Sequence, residues 1–361
     1  MSPTVSVILP SYNHAKYVDA CISAFLCQTF QDFELIIIDD ASTDDTVARI
    51  RSYEDPRITL IAREHNRGVA AGMNEGFRRA KAEVVCFFAT DDLPDSDYLK
   101  QVVSVFERAP SAVAAYFPLR KIREDGTAME QDCFLPYGVG RFEILRRSFL
   151  QGNQLPSPGM VIRRESALKS RLPEGVCQYS DWMFNNRLLL IGEIYLGEQP
   201  LLSYRVSPSS LSAPSQGSIS RDRLETRIML DDFLEVREMS VLAQIFPEEI
   251  KPYAMLPDKH IPFVLGRIAL LSDNPEKRSW GYEVIMRHLS GPEVAESLRL
   301  HAGFTFKDLM AMTPGLTSSK TDELGRLHGE VHRLRRRVRR FRRILVALVC
   351  ALALAGWIIC R

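Results

Sequence analysis

From residue 5 to residue 108 the chain alternates between two kinds of segment. Short β-favouring apolar runs (VSVILP, FELIIIDD, RITLIA, EVVCFFA) are separated by stretches with helical spacing (DACISAFLCQ, STDDTVARI, GVAAGMNEGFRRA, DSDYLKQVVSVFERA). The uninterrupted run in FELIIIDD suits a strand covered on both faces. In DACISAFLCQ, Ile22, Phe25 and Leu26 share one helix face. Ser42 or Thr43 is positioned to cap the next helix, and Gly and Ala let GVAAGMNEGFRRA approach the sheet closely. Such alternation predicts an α/β fold with a doubly wound, mostly parallel sheet.

In sheets of that kind ligands bind outside the carboxyl ends of the strands. PSYN follows the first strand, Asp39 and Asp40 end the second, EHNRG follows the third, and Asp91 and Asp92 follow the fourth. These polar groups are therefore expected around one crevice. The pair Asp91–Asp92 comes abruptly after an uncharged strand and needs a cationic partner. Hard divalent cations take oxygen ligands, and Mg²⁺ commonly uses one or two carboxylates together with substrate phosphates. The bland alternative is a turn or helix cap, but Asp95 is expected to supply the cap and so release the pair. Asp40 has a similar alternative, capping the helix near Thr43.

In this order and spacing, VSVILPSYN, FELIIIDDASTDDT, HNRGVAAGMNEGF and CFFATDDLPDSDYL resemble the family 2 glycosyltransferases of the GT-A fold, whose nucleotide-binding half is Rossmann-like. The resemblance covers about residues 3–210. It implies inverting transfer of a sugar from a nucleoside diphosphate sugar to an acceptor hydroxyl, with Mn²⁺ or Mg²⁺ as cofactor. By the same resemblance Pro10 and Tyr12 flank the nucleotide base and Asp40 hydrogen-bonds it. Asn66, Arg67 and Gly68 form the loop over the nucleotide. Asp91 lies near ribose and metal, and Asp92 ligates the metal. Asp181, in YSDW, matches the catalytic base, with Trp182 either core or acceptor-lining; the plain reading of Asp181 is a helix N-cap. Arg205 is a candidate diphosphate contact. The chain departs from the pattern at Ala89, Ser180 and Ser207, where the family often has Asp, Glu and His.

The remainder carries less pattern. SPSSLSAPSQGSISRD reads as a linker or mobile loop, and helices are expected from about residue 221 to 314. Leu324, Leu327, Val331, Leu334, Val338, Phe341 and Leu345 form an a/d seam. It suits either a coiled coil that would make a homodimer or an amphipathic helix on a membrane. The seam runs through RLRRRVRRFRR into the apolar stretch ILVALVCALALAGWIIC, expected to enter a bilayer as a helix. The Arg block should then stay on the cytoplasmic side and attract anionic lipid. The expected organisation is a GT-A domain over 1–215, a helical region over 216–318, a basic heptad helix over 319–343 and a transmembrane segment over 344–360. The N-terminus reads as opening straight into a strand, without a signal peptide.

A net charge of +1 gives the chain no global bias, and the Arg run beside an apolar segment points to lipid rather than nucleic acid. The seven cysteines lack metal or disulfide spacing, which suits reduced, mostly buried thiols in a cytoplasmic compartment. The expected protein is thus a transferase anchored by its C-terminus, its catalytic domain cytoplasmic, acting on a glycan or lipid-linked acceptor. The alternative of another class is a non-catalytic GT-A scaffold that binds nucleotide or glycan and recruits partners through its tail.

Overall fold

The computed structural model describes residues 2–130, 135–207, 213 and 215–312. It divides into two units, Met1–Ala302 and Gly303–Arg361. In the second, the described structure is a short helix, Phe306–Met312. The expected heptad helix and apolar span lie outside the described residues. Among the described residues no helix is long and apolar enough to cross a membrane.

The first unit begins with β1 (Val5–Ser11), α1 (Val18–Leu26), β2 (Phe33–Asp39), α2 (Thr46–Arg51), β3 (Ile58–Ala62), α3 (Val69–Arg79), β4 (Val84–Phe87), β5 (Leu93–Pro94) and α4 (Tyr98–Arg108). It continues with β6 (Ala112–Tyr116), β7 (Arg120–Ile122), α5 (Arg141–Leu150), β8 (Val161–Arg163), α6 (Arg164–Ser170), α7 (Ser180–Ile191), β9 (Glu193–Leu196) and β10 (Leu202–Arg205). The helices α8 (Gln216–Asp231), α9 (Met239–Ile245), α10 (Ile261–Ala269), α11 (Pro275–Leu289) and α12 (Pro292–Ala302) complete it.

The main sheet has the order β3-β2-β1-β4-β8-β6-β9. All its neighbours pair in parallel except β8, which runs antiparallel to both β4 and β6. β1 and β2 are buried at every residue, as strands covered on both faces must be. α3 lies close on β1: a Cβ at Gly76 would collide with the Ile8 side chain. The orientation of β8 matters for the site. Because it is reversed, the chain entering it arrives at the edge where the parallel strands end. There the Gly159 N–H donates to the Phe87 carbonyl at 2.8 Å, and the Phe87 N–H donates to the Met160 carbonyl at 3.0 Å. A small sheet, β5-β10-β7, sits just past the end of β4.

Three local expectations are corrected. Asp95 does not cap α4; the N-cap residue is Asp97, without a side-chain bond, and the Asp95 carboxylate pairs with Arg120. Ser42 does not cap α2, because its hydroxyl and N–H both bind Asp39; α2 starts later, at Thr46, and Asp44 accepts the Thr46 N–H at 3.0 Å. The supposed linker turns helical after residue 215. Ser215 and Ser218 form a reciprocal capping box that launches α8, a strong start signal hidden in a Ser-rich stretch.

The later helices share a core with the α/β part. Phe149 of α5 makes edge-on contacts with Phe233 at 4.9 Å and Phe246 at 5.1 Å, a geometry aromatic rings favour. Arg146 of α5 pairs with Glu249, and Arg187 of α7 with Asp232 at 2.8 Å. Among the described residues Cys21 and Cys86 are buried thiols, but Cys27 and Cys177 are exposed ones.

Candidate functional site

The Asp40 carboxylate sits one residue past β2 and organises the loop that follows β3. It accepts the backbone N–H of Arg67 at 2.9 Å and of Gly68 at 2.7 Å. Gly68 has φ of +83°, a conformation glycine adopts without strain. The buried Arg63 guanidinium donates to Asp40 at 3.0 Å and to Glu75 at 2.8 Å. Asp40 thus shapes the 66–68 loop. The Asn66 side chain accepts the Gly68 N–H at 3.2 Å. The Arg67 side chain is exposed and reaches Glu174 at 3.1 Å, which also accepts from Asn74 at 3.1 Å. Tyr12 is 45 % exposed, open to a stacking partner, whereas Pro10 lies buried in β1.

The turn after β4 holds the paired acids in unequal settings. Asp92 is wholly buried. Its Oδ1 accepts the backbone N–H of Arg205 at 2.9 Å, and its Oδ2 has no hydrogen-bond partner. Burial first, and then the neighbouring charge of Asp91, push the Asp92 carboxyl well above the usual carboxylate range. Asp91 is half-buried, with its Oδ1 3.9 Å from His14 Nδ1; that nitrogen is 2.7 Å from the Thr90 hydroxyl. Arg205 is buried and busy: Nε donates to the Asp91 carbonyl at 2.9 Å, and Nη1 to the carbonyls of Arg123 and Glu124 at 3.0 and 2.9 Å. These bonds tie β10 to the acidic turn, so any diphosphate contact would be additional to them. Ser207 donates to Glu124 at 2.7 Å.

This donor set fits a hard cation that completes its shell elsewhere. An unpaired buried carboxylate oxygen is costly, and Oδ2 of Asp92 is one. Among the described residues no group of three or more His, Cys, Asp or Glu stands ready to hold a metal alone, so the remaining ligands would come from water or substrate oxygens, as Mg²⁺ sites commonly arrange.

Asp181 lies in the first turn of α7. Its Oδ2 accepts from the Ser157 hydroxyl at 3.0 Å, and its Oδ1 from the Trp182 N–H at 2.7 Å. Ser157 belongs to the segment entering β8, so it holds Asp181 at the same sheet edge as the end of β4. Burial raises the Asp181 carboxyl above its usual range, and the charge of Glu225 adds to that. Trp182 is buried, its indole N–H donating to Ser148 at 2.5 Å. A cavity of about 810 Å³ opens beside Asp181, walled by α7, the 150–153 turn, α8 and the α10–α11 connection.

Three participants escaped sequence reading. Arg63 is one residue past β3, and the strand-end rule applied there would have singled it out. Ser157 lies in a loop with no local signal. Glu225, in a helix with no motif, is buried and accepts three successive backbone N–H groups: Cys177 at 2.9 Å, Gln178 at 2.7 Å and Tyr179 at 2.8 Å. It fixes the turn that presents Asp181. Beside it, Asp222 accepts from the Tyr179 hydroxyl.

Comparison with known proteins bears on family and fold. Residues 6–172 match the family model described as Glycosyl transferase family 2. TuaG of Bacillus subtilis, a glycosyltransferase assigned by name to teichuronic acid biosynthesis, is 30 % identical over 191 residues, covering 49 % of this chain and 75 % of TuaG. WfgD of Escherichia coli, named a UDP-Glc:alpha-D-GlcNAc-diphosphoundecaprenol beta-1,3-glucosyltransferase, is 34 % identical over 101 residues, covering 28 % of this chain and 40 % of WfgD. Among solved structures, S. aureus TarS 1-349 in complex with UDP-GlcNAc superimposes with a TM-score of 0.56 at 17 % identity, over 89 % of this chain and 92 % of that one. At that identity the likeness concerns the fold, which is GT-A-like.

Proposed function

Because the chain belongs to the family 2 glycosyl transferases, we propose that it is an inverting enzyme moving a sugar from a nucleoside diphosphate sugar to an acceptor hydroxyl in polysaccharide or glycolipid assembly. The carrying observation is one sheet edge that joins the Asp40-clamped loop, the Asp91–Asp92 turn with its unpartnered buried oxygen, and Asp181 raised in pKa on the reversed side of β8.

Asp40, Tyr12 and the 66–68 loop receive the base. Asp92 Oδ2, with Asp91 beside it, would hold a divalent cation, which when bound supplies countercharge to the diphosphate. Asp181 takes the proton from the acceptor hydroxyl. The oxygen's electron pair then forms the new bond to the anomeric carbon while the bond from that carbon to the diphosphate breaks, releasing the nucleoside diphosphate on the opposite face. A carboxylate with raised pKa suits this work near neutral pH. Ser157 and the Trp182 N–H hold the carboxylate in position, and Glu225 holds the turn that carries it.

TuaG and WfgD, one named for teichuronic acid biosynthesis and one for a GlcNAc-diphosphoundecaprenol acceptor, support a glycan or lipid-linked acceptor. With residues 344–360 as an anchor, the catalytic body would work at the cytoplasmic face of a membrane.

The test is a thermal-shift panel of nucleoside diphosphates and diphospho-sugars with and without Mn²⁺ or Mg²⁺. Ligands that bind the native state raise the melting temperature. A metal-dependent rise with one base, abolished by Asp92→Asn, is expected. No rise with any nucleotide would move the protein to the non-catalytic alternative.

A further inference from the structure

The cavity beside Asp181 is built in equal part by segments the α/β motifs do not reach. Its lining includes Asp222 of α8, Asp273 between α10 and α11 and Lys277 in the first turn of α11, together with Gln178 and Tyr179 before α7. The carboxylates outnumber the cations. Glu249 also lines the cavity but is neutralised by Arg146. That leaves Asp181, Asp222 and Asp273 against Lys277, whose buried ammonium donates to the Phe149 carbonyl. Gln178 adds a buried side-chain oxygen without a hydrogen-bond partner. The charged groups of this space are therefore mainly carboxylates, set beside neutral polar side chains such as Asn153 and Ser272, while Leu150, Trp182 and Leu271 give it apolar patches.

From this lining we infer that the cavity is the acceptor site and that it selects an uncharged, hydroxyl-bearing sugar at the reacting end of the acceptor. The inference rests on the transferase reading and deepens it. Sugar hydroxyls are donors that match carboxylate and amide oxygens, and the C–H faces of a sugar ring suit the apolar patches. A phosphodiester or uronate presents charge of the same sign as the walls and is disfavoured by like-charge repulsion in a partly desolvated space. A volume of about 810 Å³ lies within the range that encloses a small ligand. The helical region is then more than a support: it sets which acceptor reaches the base.

Saturation-transfer NMR on the full chain tests this with three probes: p-nitrophenyl β-D-N-acetylglucosaminide and p-nitrophenyl β-D-glucoside as neutral acceptors, and p-nitrophenyl β-D-glucuronide as the anionic one. Nucleoside diphosphates with Mn²⁺ report the donor site in parallel. The neutral glycosides should give saturation transfer at millimolar concentration and the glucuronide little. Gln151→Trp, at an exposed rim position, should abolish the neutral signal by obstruction. Asp273→Arg, also exposed, should weaken the neutral signal and raise that of the glucuronide several-fold. Both variants should still bind nucleotide. A glucuronide signal equal to or above the neutral ones in the wild type would overturn the inference. So would a neutral signal that survives Gln151→Trp, or no signal from either neutral glycoside while nucleotide binds. Failure of every nucleotide to bind would instead count against the transferase reading itself.

Discussion

The two walls of the site were built by different means. On the donor wall, Asp40, Asp91 and Asp92 stand within a residue or a few of a strand end, and each gets its place from the strand before it. On the acceptor wall, Asp181 gets its surroundings from afar: Ser157 lies 24 positions upstream in sequence, and Glu225 reaches back 46 to 48 positions to the turn before α7. A strand end is a local feature that a sequence displays. A carboxylate arriving from another helix is not. On the proposed roles, donor chemistry is written in motifs, while acceptor choice and base placement depend on packing.

The sharpest break between the two walls should come from Asp181→Asn. Loss of the base should lower turnover about 10²- to 10⁴-fold and leave nucleotide affinity unchanged, as read by initial rates beside calorimetry. A variant that keeps most of its turnover would remove Asp181 from the base role. Asp40→Ala is the converse probe. It leaves the Arg67 and Gly68 N–H groups and the Arg63 guanidinium without their shared acceptor, a loss worth about 1–3 kcal/mol. Nucleotide affinity should fall about tenfold to a hundredfold, with the melting temperature dropping as well.

Glu225→Gln sharpens the comparison from the acceptor side. Catalytic rate should fall about tenfold while nucleotide affinity holds. The sign of its pH effect is fixed by charge. Asp181 must be ionised to act, so activity declines as pH falls through its raised pKa. Removing the negative charge of Glu225 lowers that pKa, so the acidic limb of the rate profile should move to lower pH. A limb that stays in place would mean that the two carboxylates do not communicate.

The smallest effect is expected deep in the helical region. His260 is wholly buried against His288 at 3.0 Å and Ser297 at 2.9 Å, and burial first, then the charge of His288, lower it to about 4. A histidine depressed in the native state binds fewer protons than the unfolded chain between its two pKa values. Stability should therefore be intact above about pH 6.5 and fall as pH drops toward 4. Hydrogen exchange should speed up in α10 to α12 over that range before it does in β1 and β2, and His260→Gln should flatten the dependence.

The sheet, its helices and the donor acids were legible because strand alternation and strand-end acids are short-range signals. β1 to β4 lie where the apolar runs lie, and Asp40 and Asp91–Asp92 end them. The misplaced caps show the limit of the same logic. Asp95, Ser42 and the linker after Ser207 were read by residue type, yet Arg120, Asp39 and Ser218 claimed Asp95, Ser42 and Ser215. Arg205, a candidate phosphate contact by resemblance, also knits β10 to the acidic turn, a duty that no local sequence signal displays. Glu225 had no signal at all. A buried glutamate on a polar helix looks like any other until the loop it caps is seen.

The measurement that bears most directly on this division of labour is calorimetric titration of nucleoside diphosphate with Mn²⁺ into the wild type, Asp92→Asn and Glu225→Gln. Binding should survive in Glu225→Gln at wild-type affinity and vanish in Asp92→Asn. Binding that persists in Asp92→Asn, or that is lost in Glu225→Gln while the variant remains folded, would contradict a donor site confined to the strand-end acids.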